Sequence, residues 1–70
     1  MVDIEKLLGE MRRQRISISE MSACLGIDDS TFYRKLNAGG KSFTLSQADA
    51  LAKALKLKAS EAQSIFFADF

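Results

Sequence analysis

The side chains best suited to chemistry are Asp29, Ser30, Tyr33 and Arg34, at positions i, i+1, i+4 and i+5, a spacing that gathers them on one side of a helix. They offer an acceptor-only carboxylate, a hydroxyl, a phenol and a planar guanidinium with several donors. Groups of that reach and polarity suit hydrogen bonding to the edges of DNA bases. Other chemistry lacks its residues. The chain has no histidine, one cysteine (Cys24) and no acidic cluster at ligand spacing, so zinc sites and cysteine–histidine nucleophile pairs are not expected. Gly39-Gly40-Lys41-Ser42 ends like a phosphate-binding loop. Lys35 stands where such a loop has its first glycine, however, and no strand precedes it, so the segment reads as a helix terminator. Cys24 is expected to be a partly buried small side chain rather than a redox sensor. No catalysis and no cofactor are expected.

The elements that must hold those four side chains lie between Ser17 and Leu36, which read as two short helices joined at Gly26. Ser17 stands three residues before Glu20, a capping box that satisfies two free backbone donors, with Ile16 and Met21 placed as a hydrophobic staple. Met21 and Leu25 share a face, and the small Ser22 lets a neighbouring helix come close. Gly26 can enter the left-handed region without a Cβ penalty and so stops the helix, after which Ile27 turns inward. Asp28 caps the next helix, whose buried stripe is Phe32 and Leu36. Its outward side is left to Asp29, Ser30, Tyr33 and Arg34. The run Asn37-Ala38-Gly39-Gly40 ends it.

Helical signals continue on both sides. A first helix is predicted over 4–15, capped by Asp3, with Ile4, Leu7, Leu8 and Met11 on one face. A fourth follows the Thr44/Gln47 capping box and is predicted to bury Leu45, Ala48, Leu51, Ala52 and Leu55. Residues 56–59 form a connection, and a Ser60/Gln63 box is predicted to open a fifth helix carrying Ile65, Phe66 and Phe67. There is no proline, no useful strand-like alternation and no repeat. The expected fold is all-α, with five helices.

The two-helix segment resembles the helix-turn-helix of the Cro and phage-repressor superfamily, also called the xenobiotic-response-element family. The pattern of an apolar residue, a small one, then Leu-Gly and an apolar residue is matched by Met21, Ser22, Leu25, Gly26 and Ile27, and the likeness covers nearly the whole chain. Three positions depart from it: Ser22, where alanine is usual; Lys35, where the family has an apolar residue, so that Leu36 takes over the packing; and Asp29, an acid where the family often contacts bases. A carboxylate there repels phosphate unless it accepts from a cytosine amino group. The resemblance implies a compact bundle of the lambda-repressor-like type, helices two and three forming the helix-turn-helix at about 17–37. It also implies a regulator of phages, integrated elements or bacterial chromosomes.

Seventy residues allow one small core, and such a chain buries only about 60% of its unfolded surface, so one domain over 1–70 is expected. With 47% hydrophobic and 27% charged residues the composition is globular. The apolar runs are too short for a bilayer and the N-terminal region carries Asp3 and Glu5, so neither membrane span nor signal sequence is expected, and the expected location is the cytoplasm. No small-molecule ligand is expected either. The net charge of +1 is low for a nucleic-acid binder. Its distribution is uneven: Arg12, Arg13 and Arg15 cluster at the end of the first helix, and Arg34, Lys35 and Lys41 follow the outward face of the third.

Two functions fit. In one, the chain is a dimeric transcription regulator on a double-stranded operator. Asp29, Ser30, Tyr33 and Arg34 read bases, while Ser17, Asn37, Lys41, Arg13 and the start of the second helix hold phosphates. In the other, the same fold is a co-repressor or antirepressor that docks on a larger regulator, a reading favoured by the low charge and Asp29. The C-terminal cluster Ile65, Phe66, Phe67 and Phe70 exceeds what one helix can tuck against its own core. A weak homodimer is therefore expected, with Phe67 and Phe70 nearest its interface.

Overall fold

Side-chain caps decide where the helices begin. In the computed structural model, which describes residues 2–68, α1 (Ile4–Gln14) opens at Asp3, whose carboxylate accepts the Lys6 N–H at 3.1 Å. For α2 (Ile18–Leu25) the Ser17/Glu20 box is closed in both directions, at 3.1 and 3.0 Å. Asp28 caps α3 (Asp29–Asn37) by accepting the Thr31 N–H at 2.8 Å. A second complete box, Thr44 with Gln47, opens α4 (Leu45–Ala54). The start of α5 (Ala59–Phe66) differs from the expected Ser60/Gln63 box: Glu61 accepts the Lys58 N–H at 2.8 Å, and Ser60 lies inside the first turn. An ionised carboxylate is the stronger acceptor at a helix start, where the dipole also favours negative charge.

Left-handed residues end α1 and α2. Arg15 (φ 57°) follows α1 and Gly26 (φ 70°) follows α2, where the Ile27 N–H returns to the Ser22 carbonyl at 3.0 Å. After α3 the chain turns through Gly39 (φ 71°) and Gly40 (φ 75°). At Gly40 a side chain has no room, because a Cβ built there would fall 2.5 Å from the Val2 Cβ.

The core lies where the apolar stripes meet: Leu7 and Met11 of α1, Met21 of α2, Phe32 of α3, Leu51 of α4, Leu55 beyond it, and Ile65 and Phe66 of α5. Leu8, Ile16, Leu25, Ile27 and Leu36 are half-buried around it, so Leu36 does supply the packing that Lys35 cannot. The α2 helix packs on α3 and α4, and Ser22, 1% exposed, is buried among the apolar groups. Long-range hydrogen bonds fasten the bundle: Gln14 donates to the Leu55 carbonyl at 2.8 Å, the Asp3 N–H to the Ile65 carbonyl at 2.6 Å, and Lys6 Nζ to the Ser64 hydroxyl at 2.7 Å.

Two sequence expectations fail in this region. Leu45, predicted to be buried, is 74% exposed. It is the first residue of α4, and helical side chains lean toward the N-terminus, which carries this one past the end of the core. Cys24 is exposed rather than partly buried, its Sγ 4.0 Å from the Ala50 carbonyl oxygen. Among the described residues there is no strand, no group of residues able to hold a metal, and no helix long and apolar enough to cross a membrane.

Candidate nucleic-acid interface

The α3 helix is held from beneath and leaves its other side to solvent. Phe32 is fully buried and meets Phe43 of the α3–α4 loop edge to face, with ring centroids 5.6 Å apart. Asp29, Ser30, Tyr33 and Arg34 are all exposed, as their spacing predicts. Tyr33 is 52% exposed, and its ring stands clear of the core.

Most of these outward groups are already oriented by neighbours. Asp29 Oδ2 accepts from the Ser19 hydroxyl of α2 at 2.7 Å, a bond that ties the starts of the two helices together. The Ser30 hydroxyl donates to Asp28 at 3.1 Å. Thr31, through its side chain first and its backbone N–H next, and then Ser30 hold the Asp28 carboxyl below the ordinary carboxylate range. Arg34 turns back along the helix, donating to Thr31 Oγ1 at 3.0 Å, which leaves guanidinium donors free at the outward surface.

Lys35 follows neither the family's apolar pattern nor a solvated one. Its Nζ donates to the Ser42 carbonyl at 2.9 Å and stands 5.7 Å from the centre of the Phe43 ring, so its stem covers apolar surface while its charge braces the loop. That loop carries Lys41, which is exposed, and Asn37 is exposed where the loop begins.

The remaining phosphate candidates are placed differently from one another. Ser17 accepts the Glu20 N–H with its hydroxyl oxygen, which leaves the hydroxyl proton to donate outward. Arg13 forms an ion pair with Glu10 at 2.8 Å, and Glu61 lies near enough to reinforce its charge. Glu10 is held below its ordinary range by Arg13 and then by Gln14. Arg13 is thus paired along the surface of α1, on a different helix from the α3 set. Phe67 is exposed and, with Leu45, lines an apolar groove between α4 and α5; Phe70 lies outside the described residues.

Two contributors were missed in the sequence. Ser19 lies ten residues before Asp29, a separation with no helical or strand period, and Lys35 reaches a carbonyl seven residues on, so neither had a signal that spacing could reveal. Among curated proteins and among solved structures, none matches the chain significantly. A family model does match it, that of the Cro/C1-type HTH DNA-binding domain, over residues 6–64. With five helices, the α2–turn–α3 unit and a polar outward face on α3, the chain belongs to the Cro/C1-type helix-turn-helix DNA-binding family.

Proposed function

We propose that this protein is a sequence-specific transcription regulator that lays α3 in the major groove of a double-stranded operator. The observation that carries this reading is the exposure of Asp29, Ser30, Tyr33 and Arg34 on one side of a helix whose other side is anchored by Phe32. In that pose Ser17, Asn37 and Lys41 hold phosphates on either side of the groove, and Arg13, whose Nε and Nη2 bond Glu10, adds the donors on Nη1. A second copy binds the other half-site. Half-sites of such operators lie about one DNA turn, roughly 34 Å, apart, which is the spacing the two α3 helices must meet. Leu45 and Phe67 supply an apolar surface for that contact.

Selection of bound duplexes from a random pool tests the reading: a palindromic motif is expected. Titration with salt on random duplex DNA separates it from docking on a larger regulator. Affinity then falls with a slope of about −0.9 per phosphate neutralised, whereas a protein-docking module has no such slope because it does not bind the DNA. Enrichment of no motif and no salt-dependent binding would refute regulation through DNA. Sedimentation at micromolar concentrations, with and without the palindrome, tests the dimer, and a monomer under all conditions rejects it.

A further inference from the structure

We propose that Ser19 and Asp29 act as a single unit that selects a cytosine in the major groove, Asp29 accepting from the exocyclic amino group and Ser19 acting as its positioning residue. The inference rests on the reading of α3 as the base-contacting helix. Its basis is the 2.7 Å bond from Ser19 Oγ to Asp29 Oδ2, made between two exposed side chains on different helices.

A hydroxyl has one proton, and Ser19 spends its proton on Asp29. Neither side chain then has a proton to offer, and the pair presents oxygen lone pairs alone. Phosphate oxygens, the O6 and N7 of guanine and the O4 of thymine are acceptors and are refused by such a surface. Adenine places its N7 acceptor beside its amino group, which leaves cytosine as the base whose major-groove edge is a donor. Among the described residues no lysine or arginine forms an ion pair with Asp29, so its charge is not spent within the bundle. With Oδ2 held by Ser19, Oδ1 remains for the base. Without that bond the carboxylate turns freely about its side-chain torsions, and the same contact costs more ordering entropy.

The test compares the motifs selected from a random duplex pool by the unaltered protein and by Ser19→Ala, Ser19→Thr and Asp29→Asn. The unaltered protein is expected to require cytosine at one position of each half-site. Ser19→Ala should weaken that preference about tenfold and leave the other positions unchanged, whereas Ser19→Thr, which keeps the hydroxyl, should retain it. Asp29→Asn should move the preference toward adenine, whose N6 and N7 an amide can engage together. A thermal melt accompanies each variant, because a merely structural bond would lower the melting temperature of Ser19→Ala and leave its motif intact. The same motif from all four proteins would overturn the pairing while leaving DNA binding in place. No motif from the unaltered protein would overturn both this proposal and the function on which it rests.

Discussion

Replacing Gly40 with alanine tests the join between the α3–α4 loop and the start of the chain. Gly40 has φ 75°, in the left-handed region, and a non-glycine residue there costs about 1–2 kcal/mol. The new Cβ would also lie 2.5 Å from Val2 Cβ, 2.9 Å from Val2 Cγ2 and 3.2 Å from Ile4 Cδ1. Val2 cannot move away cheaply, because the next residue's N–H is bonded to the Ile65 carbonyl. Overpacking of this kind costs about 1–3 kcal/mol, for a total of about 2–5 kcal/mol. At roughly 0.05–0.15 kcal/mol per residue the whole domain has only about 4–10 kcal/mol, so much of its stability is at stake. Gly39 is the internal control: its φ is 71°, but a Cβ there meets nothing within 4 Å, so Gly39→Ala should cost only the backbone share of about 1–2 kcal/mol. Urea denaturation followed by helical circular dichroism measures both, and in a Val2→Gly background, itself destabilised by the loss of a buried side chain, Gly40→Ala should cost less than it does beside Val2. Equal losses for Gly40→Ala and Gly39→Ala, or an undiminished cost of Gly40→Ala in the Val2→Gly background, would refute the reasoning.

Phe32→Ala removes a fully buried ring and its edge contact with Phe43, and should cost about 3–5 kcal/mol in the same denaturation assay. Ser22 Oγ is buried with no hydrogen-bond partner among the described residues, so Ser22→Ala should raise stability by about 1 kcal/mol or more. Asp28 has a lowered pKa, so its contribution is complete above the unfolded carboxyl's pKa of about 3.9 and is lost as pH falls through the lower folded value. Melting temperature measured from pH 5 downward should therefore fall less steeply for Asp28→Asn, which caps without titrating, than for the unaltered protein. Arg34→Ala should weaken operator binding by about 1–3 kcal/mol and relax preference at one base pair, read by competition among single-base operator variants.

Local chemistry made much of this fold legible. Asp3, Ser17 with Glu20, Asp28, and Thr44 with Gln47 each bond within three residues, so residue types at short spacing were enough to place four helix starts and, with them, the exposed face of α3. Leu45 fits its stripe equally well and yet is exposed, because periodicity reports the side of a helix and not how far the neighbouring helix reaches. The start of α5 was misplaced because both Ser60/Gln63 and Lys58/Glu61 were within range, and the charged acceptor prevails. At the candidate site, Ser19 meets Asp29 only through the way α2 and α3 cross, and Lys35 finds Ser42 only because two left-handed glycines turn the loop back. Contacts of that kind depend on tertiary geometry and leave no period in the sequence.

The way α3 is held has an evolutionary consequence. Phe32, the Asp28 cap and the Lys35 brace hold the helix, and none of them belongs to the outward row of Ser30, Tyr33 and Arg34. Exposed substitutions away from such supports usually change stability by less than about 0.5 kcal/mol. Drift or selection can thus rewrite this exposed row while the bundle stays folded, and on the proposed function descendants of one ancestor could acquire different operators through a few surface changes. Even a domain with little stability to lose can diversify in this way, because the largest anchor of α3, Phe32, lies on the side opposite Tyr33 and Arg34.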